Sequence, residues 1–226
     1  MKLLAIDTST EACSAALTID GETIERYRLA PRQHTRLILP MIDELLSDSG
    51  LKIGDVDGVA FGRGPGAFTG LRIAAGLIQG IAFGADLPVV PVSSLAALAQ
   101  GCYRETGTTR VLAALDARMQ EVYWAAYGID DSGYARLIGE EVVCAPQQVS
   151  IPDGEAWSGV GSGWEAYLSQ LQRRLAGALS TWEAQRYPRA RDVAVLGVAA
   201  LGRGEAVSAE CALPVYLRDD VAVKQG

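Results

Sequence analysis

Strand-like and helix-like segments alternate along the first half of the chain. Apolar runs bounded by turn-forming residues predict strands, and apolar positions that recur every three to four residues predict helices. The predicted strands are 2–7, 12–20, 22–29, 56–61 and 88–92. The predicted helices are 35–48, 69–83 and 93–103, and Pro40 predicts a kinked first turn or a later start for the first of them. Such alternation is typical of an α/β domain.

The pattern restarts near residue 111. An apolar run ends in Asp116 as an earlier one ends in Asp7, and superposing these two residues also places Ala16 on Ala125. The elements predicted for this half are strands 111–116, 121–127, 135–143 and 157–160, helices 164–175 and 193–201, and an extended tail at 213–218. The repeat predicts a duplicated α/β fold of two similar lobes, each with a mixed sheet and helices. We place the N-terminal lobe at 1–106 and a smaller, less regular C-terminal lobe at 107–226.

Two turns of the first lobe have the composition of phosphate-binding segments. In the first, Asp7, Ser9 and Thr10 place a carboxylate and hydroxyls at a strand end, where backbone N–H groups can approach an anion. In the second, a loop with Gly64 and Gly66 joins a strand to a helix N-terminus. Each has a structural alternative, namely a hairpin turn whose hydroxyls satisfy one another, and a crossover whose glycines permit close packing. The sequence leaves these alternatives open.

The first two predicted helices carry more apolar surface than one core-facing stripe needs. On a helical wheel the apolar positions of the first helix span about 200°, and the second is apolar almost all round. Gly76, Gly80 and Gly84 occur at every fourth residue and would let another helix approach closely. We therefore predict a partner interface, with the alternative that the same chain covers both helices. The predicted contact residues are Leu37, Met41, Leu45, Leu71, Ala74, Ala75, Ile78 and Ile81.

Charge, cysteine and histidine content argue against several functional classes. The formal charge of −7 predicts that the protein alone does not hold nucleic acid tightly, because an acidic surface repels phosphates. The four cysteines are scattered and His34 is the only histidine, so we expect no disulfide framework, metal site or His-based triad. No apolar run approaches the roughly 20 residues of a membrane span. We expect a cytoplasmic protein that binds neither a cofactor nor a membrane.

Four segments of the sequence resemble the TsaB (YeaZ) family. They read LLAIDTSTEACSAAL, GRGPGAFTGLRIAAG, ALDARMQEVYWAAY and PVYLR, and they follow the family's order and spacing across both halves. The resemblance implies a fold of the actin/Hsp70/sugar-kinase type. It also implies a non-catalytic subunit that forms a heterodimer with the related enzyme TsaD, assisted by the ATPase TsaE. The two N-terminal helices would pair with TsaD, or with a second copy when the chain is alone.

The reaction implied by the resemblance belongs to TsaD. TsaD transfers a threonylcarbamoyl group to N6 of the adenosine 3′ of the anticodon in tRNAs that read ANN codons, so this chain would meet tRNA only through the complex. TsaD carries a two-histidine metal motif on the helix where this chain has only His34. In addition, Ser9 stands where the phosphate turn of the fold usually has glycine.

The main alternative is an ATP-dependent small-molecule kinase of the same fold. It would use Asp7 or Asp116 at the phosphates and would need an adenosine site. The stretch from Gly159 to Gly163 is only a weak candidate for that site, because it lacks the dinucleotide-binding spacing.

Overall fold

Two five-stranded sheets organise the chain, one from each half of the sequence. The structure, a computed structural model, describes residues 1–218. The first half contains β1 (Lys2–Asp7), β2 (Ala12–Ile19), β3 (Glu22–Leu29), α1 (His34–Asp48), β4 (Gly58–Gly64), α2 (Phe68–Ala85), β5 (Val89–Ser93) and α3 (Ser94–Thr106). The strand order is β3-β2-β1-β4-β5, in which β2 is antiparallel to both neighbours and β4 is parallel to both.

The second half repeats this topology with shorter helices. It contains β6 (Arg110–Asp116), β7 (Val122–Ile129), β8 (Ala135–Cys144), β9 (Trp157–Val160), α4 (Ser162–Ala166), α5 (Leu168–Arg174), β10 (Leu179–Glu183) and α6 (Ala190–Gly202). The order β8-β7-β6-β9-β10 matches the first sheet strand for strand and direction for direction. The 3₁₀ turn Pro146–Gln148 stands where the first half has α1. The prediction of two similar α/β lobes with mixed sheets is confirmed.

Local sequence signals account for several element ends. Asp20 and Gly21 both have positive φ (49° and 95°), as a two-residue type I′ hairpin turn requires. The Ser93 hydroxyl accepts hydrogen bonds from the backbone N–H groups of Leu95 (3.1 Å) and Ala96 (3.2 Å) and so caps α3.

Three predicted elements differ clearly in their bounds from the structure, and one strand was not predicted. α1 begins at His34 and continues through Pro40, although a proline inside a helix removes one hydrogen bond and crowds the preceding turn. β4 continues to Gly64, so the predicted glycine loop begins inside a strand. The predicted helix 164–175 is divided into α4 and α5 at Tyr167, whose φ is −133°. The sequence prediction missed β10 because its five residues, LSTWE, form neither an apolar run nor a buried face.

The helices that end the two halves are exchanged between the sheets. α3 ends the first half but packs on the second sheet, whereas α6 ends the second half and packs on the first sheet. The outer faces of the sheets are covered by α1 and α2 on one side and by α4 and α5 on the other. The result is five layers with α6 and α3 in the middle. The packing therefore crosses the predicted division at residue 107, and residues 219–226 of the predicted second lobe lie outside the described residues.

The strand registers show which residues are equivalent in the two lobes. Ala5 lies opposite Ala16 and Ala113 lies opposite Ala125, and all four side chains face the middle helix layer. Ala16 and Ala125 are therefore equivalent, as predicted.

The predicted equivalence of Asp7 and Asp116 is wrong. Counted from Ala5 and Ala113, the counterpart of Asp7 is Leu115, and Asp116 lies one residue further along β6. Side chains alternate between the two faces of a strand. The Asp7 side chain is therefore on the inner face of its sheet, towards the middle helix layer, and the Asp116 side chain is on the outer face of the other sheet. The few identical residues shared by the two halves of the sequence are not enough to detect an offset of one residue between their first strands.

A bidentate ion pair joins the exchanged helices. Arg104 of α3 donates from Nε to Oδ1 (2.8 Å) and from Nη2 to Oδ2 (3.1 Å) of Asp192 in α6. Asp192 is only 1% exposed. Burial raises the pKa of its carboxyl, and the Arg104 guanidinium opposes that rise. Gly101 makes room for the carboxylate, because a Cβ at this position would lie 2.8 Å from Asp192 Oδ2.

We expect Arg104→Ala to lower the free energy of unfolding by about 3–5 kcal/mol at neutral pH, since it leaves a buried carboxylate without its partner. The loss should shrink under acidic conditions, where Asp192 can take up a proton. Urea unfolding at two pH values measures both effects. Arg203→Ala breaks the exposed pair with Glu205 and, as the matched control, should cost less than about 1 kcal/mol. Equal losses in the two variants would contradict this expectation.

Candidate functional site

A cleft of about 650 Å³ lies between the lobes. Ser9, Thr10 and Gly66 line it on the first lobe. Asp116 and Arg118 line it on the second. This volume falls within the range of small-molecule binding sites.

The carboxylate of Asp7 is buried rather than open to the cleft. Its Oδ1 accepts hydrogen bonds from the backbone N–H (2.9 Å) and the hydroxyl (2.8 Å) of Ser9. Its Oδ2 has no hydrogen-bond partner within residues 1–218 and lies against Gly62, where a Cβ would be 1.9 Å away. Burial raises the pKa of Asp7 to about 6, although the Ser9 hydrogen bonds oppose the rise. In the predicted phosphate turn, the carboxylate is therefore bound within the turn itself and does not face the cleft.

The glycine loop is packed against the Asp7 turn and the C-terminal segment. A Cβ at Gly66 would lie 2.3 Å from the carbonyl oxygen of Ser9, and one at Gly64 would lie 2.8 Å from that of Val215. The backbone N–H of Ala67 already donates to the Ser9 carbonyl (2.7 Å). These contacts favour the structural alternative, in which the glycines permit close packing of backbone on backbone.

The carboxylate of Asp116 is paired inside its own turn. Arg118 donates to it from its backbone N–H (2.8 Å) and from Nη1 (2.8 Å), and the Tyr167 hydroxyl donates to Oδ1 (3.2 Å). Arg118, Met119 and Gln120 all have positive φ (61°, 53° and 64°), a conformation that costs about 1–2 kcal/mol for each non-glycine residue. A metal ion would have to displace the Arg118 guanidinium before it could bind this carboxylate.

His34 has a structural role beside the Asp7 turn. Its Nε2 lies 2.8 Å from the carbonyl oxygen of Thr10 and 3.1 Å from that of Ala12, so this nitrogen carries the proton and donates to both. The imidazole thereby fixes the start of β2. Within the part of the chain that the structure describes, no group of three or more His, Cys, Asp or Glu side chains is arranged to hold a metal ion.

Most of the predicted interface residues belong to the core of the chain itself. Leu37 and Ile81 are half-buried. The other six are at most 5% exposed because one face of each helix covers the first sheet; they are Met41, Leu45, Leu71, Ala74, Ala75 and Ile78. These six are corrected from contact residues to core residues. A partner surface on α1 and α2 stays a prediction, and it has to use their outer faces.

The outer face of α2 has glycine where the chain's own packing does not require it. A Cβ at Gly76, Gly80 or Gly84 would have no atom within 4 Å, and all three glycines are exposed. Glycine inside a helix is destabilising by roughly 0.5–1 kcal/mol relative to alanine. Phe83, beside them, is 85% exposed. We call the residues of this face the outer stripe: Ile73, Gly76, Leu77, Gly80, Phe83 and Gly84.

α2 is also the helix of the described residues that is long and apolar enough to cross a membrane. Only 33% of its 18 residues are buried. That is weak evidence, because core helices of water-soluble proteins share this length and hydropathy. The expectation that the chain meets no membrane stays a prediction.

Two duplicated lobes that exchange their last helices around a cleft define the class of actin/Hsp70-like proteins. The model of the family described as TsaD, tRNA N6-adenosine threonylcarbamoyltransferase, matches residues 26–225. The structure of YeaZ from Pseudomonas aeruginosa has a TM-score of 0.90 at 49% sequence identity and covers 96% of this chain and 99% of that one.

Two curated relatives match the whole chain. The tRNA threonylcarbamoyladenosine biosynthesis protein TsaB of Escherichia coli K12 is 45% identical over 229 residues, which cover 100% of this chain and 98% of the relative. The protein of the same name from Haemophilus influenzae is 43% identical and also covers 100% of this chain, with 97% of the relative. The chain belongs to the TsaB (YeaZ) family.

Asp7→Asn should remove a pH-dependent cost of folding. Because the folded-state pKa of Asp7 is raised from 3.8 to about 6, the stability from this group is fully present below pH 3.8 and is lost as the pH rises through about 6. Asparagine does not titrate. We therefore compare the free energies of unfolding of the variant and the wild type. Their difference, variant minus wild type, should increase by about 3 kcal/mol between about pH 3.5 and pH 7.5.

Denaturant unfolding across this pH range measures the effect, with Asp20→Asn as the control. A hydrogen bond from the N-terminal amine lowers the pKa of Asp20, so its contribution is present at neutral pH and lost as the pH falls. The control should therefore change in the opposite direction. Parallel curves for Asp7→Asn and the wild type would refute the assignment of Asp7 as a buried, destabilising carboxylate.

Proposed function

We propose that this chain is a non-catalytic subunit of the machinery that synthesises threonylcarbamoyladenosine in tRNA. In this role it forms a heterodimer with TsaD, with TsaE as an accessory partner. The proposal draws on two relatives whose names state this biosynthesis and which match the full length of the chain. The related TsaD family model, which spans both lobes, fits a partner of similar fold.

The state of the cleft supports a non-catalytic role. A phosphoryl-transfer site needs carboxylates that are free to hold a metal ion against the phosphates. Here Asp7 is buried and turned towards Gly62, and Asp116 is paired with Arg118. The two carboxylates also point away from opposite faces of their sheets, so they do not form a symmetric pair at the cleft.

The outer stripe of α2 is the observation that carries the proposed partner role. Its three glycines destabilise the isolated helix, yet nothing in residues 1–218 fills the space beside them. A helix of TsaD that approached this face would gain close backbone contact and would cover the exposed ring of Phe83. In the absence of TsaD, a second copy of the chain is the alternative occupant of the same face.

Contact with tRNA is assigned to the complex rather than to this chain. A net charge of −7 disfavours the phosphate contacts from which most affinity for nucleic acid arises. TsaD or the assembled complex must therefore supply the basic surface. A cytoplasmic location, where tRNA is modified in bacteria, is part of this proposal.

Gly76→Ala and Gly80→Ala should separate the stability of the chain from partner binding. Each should raise the free energy of unfolding of the monomeric chain by about 0.5–1 kcal/mol, because the methyl group meets open space and the unfolded state loses entropy. The double variant should bind TsaD at least about tenfold more weakly, since added methyl groups hold the helices apart. Chemical unfolding of the dilute chain and calorimetric titration with TsaD measure the two effects.

Gly202→Ala is the matched control for these substitutions. Gly202 is an exposed glycine at the end of α6 with no atom within 4 Å of its Cβ position. It should give a similar stabilisation with unchanged binding. If the double variant binds TsaD as tightly as the wild type, the outer stripe is not the interface.

The isolated chain should neither transfer threonylcarbamoyl groups nor hydrolyse ATP at the rate of an ordinary kinase. Addition of TsaD and TsaE should give tRNA modification that depends on this chain. A coupled ATPase assay and chromatographic detection of the modified nucleoside measure these activities. The kinase alternative predicts ATP turnover by the chain alone that Asp116→Asn abolishes, and that result would overturn the non-catalytic assignment.

A further inference from the structure

The segment that follows the last 3₁₀ turn, Ala209–Cys211, passes along the cleft from one lobe to the other. We call residues 213–218 the strap. It forms neither helix nor strand, and Tyr216 and Arg218 are part of the cleft wall. Its contacts are divided between the two lobes, and they differ in kind.

Three kinds of contact fix the middle of the strap to the first lobe. The backbone N–H of Val215 donates to the carbonyl oxygen of Arg63 at 2.8 Å. The ring of Tyr216 packs on that of Phe68, with 5.5 Å between the centroids. Arg72 donates from Nε to the Tyr216 hydroxyl at 3.2 Å. A backbone hydrogen bond, an aromatic pair and a side-chain hydrogen bond together make a firm attachment.

The end of the strap is held on the second lobe by one side chain. The guanidinium of Arg218 forms an ion pair with Glu121 and lies 3.5 Å from Sδ of Met119. The Arg218 side chain is 19% exposed and that of Glu121 is 36% exposed, so the solvent screens the pair less than a fully exposed one. Both partners of Arg218 lie in or beside the left-handed turn that begins at Arg118.

Besides the strap, the described residues link the lobes both away from the cleft wall and across it. Away from the wall, Glu141 of β8 accepts a hydrogen bond from Ser93 and lies 3.8 Å from Nη2 of Arg63. The exchanged helices α3 and α6 join the lobes through the middle layer. Across the cleft itself, Glu11 and Arg118 are 3.7 Å apart, but both are exposed, and pairs of this kind contribute little. The strap is therefore the more substantial of these two cleft-side connections.

We propose that the strap is a latch that sets the opening of the interlobe cleft. Its Tyr216 region stays attached to the first lobe, and Arg218 is the point at which it releases the second. Release of Arg218 from Glu121 allows the lobes to separate around the middle helix layer, which widens the cleft. The latch is independent of the proposed partner role, because it uses neither TsaD nor the outer stripe.

Charge reversal at the release point tests the latch. Arg218→Glu places two carboxylates together and should open the cleft, whereas the double variant Arg218→Glu with Glu121→Arg restores an opposite-charge pair and should close it again. We expect the mean distance between spin labels on the two lobes to increase by more than about 2 Å in the single variant and to return in the double variant. Double electron–electron resonance measures this distance.

The labels can be attached to one exposed residue on each lobe. Thr69 lies in the first turn of α2 and Ser169 lies in α5, and both are exposed. Cys144 and Cys211 are replaced by serine because they are accessible to the label. Cys13 and Cys102 stay, since burial raises the pKa of both thiols and keeps them unreactive.

Hydrogen exchange at the Val215 amide distinguishes release from general unfolding. Its protection should survive in Arg218→Glu, because the attachment to Arg63 does not involve the second lobe. Arg203→Glu, at an ion pair outside the cleft wall, is the control and should leave the label distance unchanged. If Arg218→Glu does not fold, Arg218→Gln serves in its place. An unchanged distance in the folded Arg218 variant, or failure of the double variant to restore it, would overturn the proposal.

Discussion

Each sheet of this protein needs a helix from the other half of the chain to cover its inner face. α3 and α6 are exchanged, so the inner core of each lobe is completed by residues from the opposite half. The Arg104–Asp192 pair fixes these two helices to each other where solvent cannot compensate a lost partner. The lobes are therefore joined through their middle layer and through the contacts of Glu141 with Ser93 and Arg63. The cleft wall itself is spanned by the strap and by the exposed pair of Glu11 and Arg118.

The two lobes enclose a cleft like that of phosphate-binding proteins, but the carboxylates of Asp7 and Asp116 interact with groups of the chain itself. A register offset of one residue separates Asp7 from Asp116, so the carboxylates do not face the cleft as a pair. The carboxylate of Asp7 is buried and accepts hydrogen bonds from Ser9, and that of Asp116 is paired with Arg118. What the chain offers to other molecules is then a surface. The outer stripe of α2 is its most unusual part, because none of the described residues packs against its glycines.

Sequence patterns were sufficient for the topology but not for the assignment of faces. Apolar runs and turn residues located nine of the ten strands in residues 1–218. They missed β10 because LSTWE forms neither an apolar run nor a buried face. The same patterns predicted Met41 and Leu45 as contact residues, since a helical wheel shows how much surface is apolar but not which side meets the sheet. The glycines of the outer stripe were visible at every fourth residue. Their significance required the structure, which shows the empty space beside them.

The exchange of α3 and α6 also sets the order in which the chain can fold during synthesis. β1 leaves the ribosome first, but the helix that covers its inner face ends at Gly202. At about 5–20 residues per second, the first sheet, which is complete at Ser93, waits roughly 5–20 s for the end of α6, with apolar side chains such as Leu3 and Val90 uncovered on that face. The nascent first half is therefore a natural client for chaperones that shield apolar surface until the last helix arrives.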